Sequence, residues 1–139
     1  MERLRFFTIL SIFCLNGCNL PELPEIKELN SESEQMYDQV LKELKAENIV
    51  YSYKGVNNDG TKKIYFKMRI ENVTNLELTD EELKRYNHKI LSIFDKSNFD
   101  FSAVDEYIFY YMERSSPPSK LRIYFELDSN RNLMEIAHK

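Results

Sequence analysis

Two histidines, two cysteines and a scatter of carboxylates are the residues able to do chemistry in this 139-residue chain. A general base needs a partner in hydrogen-bond reach and shelter from water. His88 falls on the polar side of a helical pattern, with Asp95 about two turns further on. That spacing describes a surface pair, not a sheltered one. His138 stands next to the last residue, where chains fray. Glu32/Glu34 and Asp80/Glu81/Glu82 stand where acids favour helix N-termini, Asp105/Glu106 open a strand and Asp128 opens a turn. No metal-ligand spacing, glycine-rich phosphate loop or nucleophile elbow occurs. The expectation is a non-enzyme with no catalytic residue, no metal and no cofactor. A catalyst built from the scattered carboxylates is the alternative, and it would need a buried pair with split titration.

Both cysteines lie in the first eighteen residues, MERLRFFTILSIFCLNGC. Arg3 and Arg5 precede an apolar run from Phe6 to Leu15, the layout of a secretory signal. The run is about ten residues, half of what spans a bilayer. Leu15-Asn16-Gly17-Cys18 resembles the lipobox of bacterial lipoproteins, with Asn16 where a small or hydroxylated residue is usual. The resemblance covers residues 1–18. It implies cleavage before Cys18, lipid attachment (palmitate and related acyl chains) at Cys18, and a place in the cell envelope. Asn19 after that cysteine implies the outer membrane where the host has one, and otherwise the outer face of the cytoplasmic membrane. Residues 1–17 are then a signal peptide, 18–30 a lipidated N-terminus and tether, and 31–139 one domain. Pro21 and Pro24 favour an extended spacer. The other reading of this stretch packs Leu20, Leu23 and Ile26 on the domain.

Without its leader the chain keeps about 120 residues, enough for one core. Cys14 leaves with the leader and Cys18 takes the lipid, so the domain has no thiol for a disulfide. The whole chain carries a net charge of −4, and the leader holds one more cation than anion. An acidic body gives no electrostatic reason to bind nucleic acid. Apolar residues make up 42% and aromatics 13%, a globular composition.

The elements follow from periodicity. Ser31 to Glu47 reads as a helix with Ser31 and Glu34 as a capping box and Met36, Tyr37, Val40, Leu41 and Leu44 on one face. Ile49 to Lys54 is a strand, Gly55 to Gly60 a turn, and Lys62 to Asn72 an alternating strand. Thr79 and Glu82 cap a second helix running to Lys96. Val104 to Arg114 and Leu121 to Leu127 are strands separated by Ser115–Ser119. Leu133 to Ala137 is a fifth strand or a helical turn. The expected fold is α+β: a two-layer sandwich, with two helices on one face of an antiparallel sheet of four to five strands. The order α-β-β-α-β-β reads as a tandem repeat, with Lys63–Phe66 echoing Arg122–Phe125.

If Ile64, Phe66, Met68 and Ile70 face the helices, then Tyr65, Lys67 and Arg69 face away, joined by Arg122, Tyr124 and Glu126. Either Tyr107/Phe109/Tyr111 or Ile108/Tyr110/Met112 joins that face, together with Tyr51 and Tyr53. Tyrosine and arginine flanked by charge is the composition of recognition surfaces. It is also what half-wet strands prefer. The expectation is a membrane-anchored accessory module that binds another envelope or exported protein through this face. A small-ligand pocket between sheet and helices is the alternative.

Overall fold

The computed structural model describes residues 19–74, 77–113 and 122–138, the last stretch by backbone alone at 122–126 and 133–138. The leader, Cys18 and the 115–119 loop lie outside the described residues. The element order is α1 (Ser31–Leu44), β1 (Asn48–Asn58), β2 (Thr61–Val73), α2 (Asp80–Lys96), β3 (Glu106–Glu113), β4 (Arg122–Asp128) and β5 (Leu133–His138). The last element is a strand, paired antiparallel with β4. Two helices packed on one sheet make the α+β arrangement that the periodicity implied. Among the described residues, no helix is long and apolar enough to cross a membrane.

Local chemistry sets the boundaries. The cap of α1 is Asn30, whose side chain accepts from Ser33 N–H at 2.9 Å, one residue before the expected Ser31. The helix stops at Leu44, three residues early, because Lys45 adopts φ 48° and Ala46 N–H turns back to Leu41 C=O at 2.9 Å. The Thr79–Glu82 capping box of α2 is present in both directions. The same closing device ends α2, with Asn98 at φ 57° and Phe99 N–H on Phe94 C=O. The turn between β1 and β2 is far tighter than the sequence suggested. Asp59 (φ 51°) and Gly60 (φ 84°) alone form it, with both residues at positive φ as a twisted hairpin requires. Gly55 to Asn58 continue the strand instead.

The sheet order is β1-β2-β3-β4-β5, and the sheet is mixed rather than antiparallel throughout. β2 and β3 run parallel, because α2 carries the chain back to the starting end. Asp105 locks that junction: its N–H donates to Ile64 C=O at 2.8 Å and its carboxylate accepts from Ile64 N–H at 2.7 Å.

This junction removes the tandem repeat. β1 and β3 point in opposite directions, while the left-to-right order of strands is kept in both halves. Only a rotation that turns the sheet over could superpose them, and it would put the helices on opposite faces. Yet α1 and α2 touch, with Ser33 Oγ donating to Ile93 C=O at 2.7 Å. The shared four-residue pattern is common strand composition.

The core lies between the layers and is mainly rings. Phe66 and Phe94 are fully buried, 5.1 Å apart, and Phe101 stands 4.9 Å from Phe66. Tyr51 meets Phe94 edge-on at 4.7 Å and Tyr53 lies 5.0 Å from Phe66. These tilted contacts are the favoured aromatic geometries. Tyr51 and Tyr53 therefore face the helices, and the expectation that they join the outer face is corrected. The alternation of β1 is anchored by buried Ile49, which fixes its parity.

Residues 19–30 are laid on the domain. Asn19 C=O accepts from Asn57 Nδ2 at 3.0 Å, Lys27 Nζ donates to Asn98 C=O at 2.7 Å, and Asn30 bonds both Ser97 Oγ and Lys96 C=O. Pro21 lies so close to Gly55 that a Cβ there would stand 2.8 Å from Pro21 Cγ. That approach explains a glycine inside a strand. Leu29 joins the core, whereas Leu20, Leu23 and Ile26 stay exposed, so neither reading of this stretch holds in full.

Candidate functional site

The helix-free face of the sheet gathers polar, charged and aromatic positions. Alternation along β2 puts Tyr65, Lys67 and Arg69 there, opposite buried Phe66, Met68 and Ile70. Register carries the pattern sideways. One line runs Lys54, Tyr65, Glu106, Asp128; the next Ser52, Lys67, Ile108, Glu126; the third Val50, Arg69, Tyr110, Tyr124. Arg122 pairs with Met112 on the following line. The backbone positions of all six expected residues thus share one face. From β3 it is Ile108, Tyr110 and Met112 that lie there, since Tyr107, Phe109 and Tyr111 are buried against the helices.

Two shallow clefts mark this face, about 270 Å³ and 230 Å³, and Lys67 and Tyr110 line both. Val50, Ser52, Arg69 and Met112 complete the first; Lys54, Val56, Asn58, Tyr65 and Ile108 complete the second. Lys67 is the central group. Its ammonium stands 5.2 Å from the centre of the Tyr110 ring, a cation–π contact. Burial comes first, and the neighbouring Lys54 and Arg69 charges second, in pushing its pKa below the ordinary lysine value. Among the described residues it has no carboxylate partner. Its neighbours differ. Arg69 is held by Glu71 at 2.8 Å, and Lys63 by Glu106 at 2.6 Å. The Glu106 partnership, reinforced by its charge, raises the Lys63 pKa.

The groups singled out for acid–base chemistry are placed elsewhere. His88 is exposed on α2. Asp95 is occupied by Arg131, which forks onto it at 2.7 and 2.6 Å. Three further carboxylates are engaged in the fold: Glu32 pairs with Lys96, Asp105 locks the parallel junction, and Asp128 accepts from Asn132 N–H at 2.8 Å. Among the described residues, no three His, Cys, Asp or Glu side chains gather where a metal ion would fit. Between sheet and helices, where a small-ligand pocket was weighed, the space is filled by the ring cluster.

Sequence reasoning held docking of the N-terminal segment only as the second reading, and through other residues, and it missed the isolation of Lys67. The signal for the first was a glycine in mid-strand. The second needs register across three strands. A scan of protein-family models, a search of curated proteins and a search of solved structures each find no match for this chain.

Proposed function

We propose that this is a lipid-anchored cell-envelope protein acting as a non-enzymatic protein-binding or accessory module through the outer face of its sheet. The observation that carries the reading is Lys67: a half-buried ammonium, packed on Tyr110 between two other cations, without a counter-charge among the described residues. Withdrawing a cation from water without pairing it is unfavourable, and an anionic partner relieves that cost. Tyr65, Arg69 and the register positions of Arg122, Tyr124 and Glu126 surround it with interface-type residues. Ring packing between the layers weighs against the small-ligand reading.

Attachment at Cys18 rests on the lipobox resemblance. Asn19, the residue after Cys18 in the sequence, is held at Asn57 close to the β1–β2 turn. Two chains suffice for stable anchoring, at about 0.8 kcal/mol for each buried methylene.

The test is capture from detergent-solubilised native membranes with the full chain as bait. A stoichiometric envelope protein is expected, lost with Lys67→Glu and Tyr65→Ala while the urea midpoint holds. No partner, or a partner indifferent to both changes, would overturn the reading. Cys18→Ser is expected to abolish acylation and membrane partitioning; an unchanged mobility and partition would sink the anchor.

A further inference from the structure

β1 is an edge strand, and the hairpin identifies which of its backbone groups look outward. The two-residue turn is closed by Asn58 and Thr61, so the even-numbered residues of β1 exchange hydrogen bonds with β2. The odd-numbered residues then direct both N–H and C=O away from the sheet. Ile49 bears this out: Tyr37 hydroxyl accepts from its N–H at 2.9 Å and donates to its C=O at 3.3 Å. Tyr51, Tyr53 and Gly55 have the same orientation, and their outward groups find no partner among the described residues. The N-terminal segment meets β1 at the Asn57 side chain and over the inner side of Gly55, and Glu28 lies within electrostatic reach of Tyr51, but among the described residues the segment gives no backbone hydrogen bond to this edge. Eleven residues without proline or bulge leave the strand regular, with Lys54 as its one charge.

We propose that this edge receives an extended acidic segment of a partner protein, paired to β1 as a sixth strand. The inference rests on the outer-face reading above and names its partner's chemistry. An added strand sits about 4.8 Å from β1, and its alternate side chains fall on the outer face beside Ser52 and Lys54. From there a glutamate reaches toward Lys67, one strand further in. Backbone pairing supplies affinity and the cations supply selectivity for acid. Val50, 39% exposed on the same face, offers apolar contact at one end. A second copy fits poorly. Two-fold pairing of β1 with itself would crowd Lys54 and Lys67 of both copies together with no carboxylate between them.

The probe is a capped peptide of about nine residues alternating Glu and Thr, added to the full chain in detergent micelles. Its controls are a Lys/Thr analogue and a Glu/Thr analogue N-methylated on the residues that would face β1. Amide exchange is read residue by residue. The acidic peptide is expected to slow exchange at Tyr51, Tyr53 and Gly55 by about tenfold or more at saturation, and neither control to do so. Lys54→Glu is expected to transfer the preference to the Lys/Thr peptide. Perturbation of Lys67 and Tyr110 without edge protection would overturn strand pairing and leave the outer-face reading standing. No response to any peptide would likewise overturn strand pairing, while the outer-face reading is decided separately by the membrane capture. Concentration-dependent edge protection without peptide, with a dimer by light scattering, would make the occupant a second copy and overturn the proposal.

Discussion

Tyr111 and Asn87 form a buried polar pair whose removal should be strongly non-additive. Tyr111 is fully buried and donates to Asn87 Oδ1 at 2.5 Å across the α2–β3 contact. Burial pushes the Tyr111 phenol up, which favours its protonated, donating form. The Asn87 side-chain nitrogen is buried with no hydrogen-bond partner. Tyr111→Phe deprives the carboxamide of its bond as well, and the expected loss is about 1–3 kcal/mol. Asn87→Leu removes the orphaned nitrogen while taking the acceptor from the phenol, and these effects offset to within about 1 kcal/mol. The double variant presents two apolar groups of similar shape and should lie within about 1 kcal/mol of the parent, or above it. The cycle therefore yields a coupling of about 1–3 kcal/mol, the double being milder than the sum of the singles. Urea titration of the four proteins measures it, and melting should shift by about 4 °C for each kcal/mol at this chain length. Additive single effects would refute the reasoning.

Other expectations concern the ends of elements and the two faces. Arg131, forked onto Asp95 and lying 5.5 Å from the centre of the Tyr107 ring, ties the β4–β5 turn to α2. Arg131→Lys should lose about as much urea stability as Arg131→Ala, about 1–3 kcal/mol, because a point charge cannot fork or stack; full rescue by lysine would contradict this. Gly55→Val drives a side chain into Pro21 and should open residues 19–26 to limited proteolysis with little change in the global urea midpoint; unaltered resistance to cleavage there would contradict the docking. Donors from Thr79, Ser102 and Asn132 hold Glu82, Asp100 and Asp128 below their ordinary carboxylate pKa values. The folded form therefore binds fewer protons than the unfolded one, and stability is full above about pH 5 and falls as pH drops through the folded values. Thr79→Val keeps the backbone N–H that does most to hold Glu82 down and removes only the hydroxyl donor, so it should lessen but not abolish the Glu82 share of that slope, and cost about 1 kcal/mol at neutral pH through the lost cap. Lys67→Met should leave the urea midpoint unchanged or raise it, because the depressed lysine favours folding only as pH rises toward the ordinary lysine value. A clear fall in midpoint would mean that the ammonium supports the fold.

Secondary structure was readable wherever alternation or capping was strong. Ile64, Phe66, Met68 and Ile70 alternate without a break, and β2 with its dry face followed directly. Thr79 and Glu82 marked the start of α2 to the residue. Much of what failed was non-local. IVYSYK sets Ile49, Tyr51 and Tyr53 against Val50, Ser52 and Lys54, so its alternation pointed to the observed inner face; it was the suitability of tyrosine for a wet face that led the reading the other way, and pairing with β2 settled it. VDEYIFYYMER has apolar or aromatic residues at both parities, and tertiary pairing chose Tyr107, Phe109 and Tyr111 for the inside. The parallel junction depends on where α2 delivers the chain, which strand composition does not encode. Gly55 looked like turn chemistry because glycine serves both turns and close approaches, and only the position of Pro21 separates the two.

Among the described residues, Asn87 and Lys67 each carry a polar group that lacks its usual partner, and their surroundings assign them different meanings. The Asn87 nitrogen has no hydrogen-bond partner among the described residues and is buried between α2 and β3. It is a cost that the fold carries internally, and its removal should register only in stability. Lys67 has no carboxylate partner among the described residues and lines an open cleft, next to an edge strand whose outward backbone groups at Tyr51, Tyr53 and Gly55 find no hydrogen-bond partner there either. Alternation on β2 asks of that position only a half-wet side chain, and threonine or glutamine would satisfy it without withdrawing a charge from water. A local conflict that stability does not require, placed where a ligand can relieve it, is the mark of a site. If Lys67→Met leaves stability intact and partner capture lost, the two kinds of conflict are separated by experiment. If both properties survive, the cation is an ordinary surface residue, and the acidic-strand reading loses its selectivity.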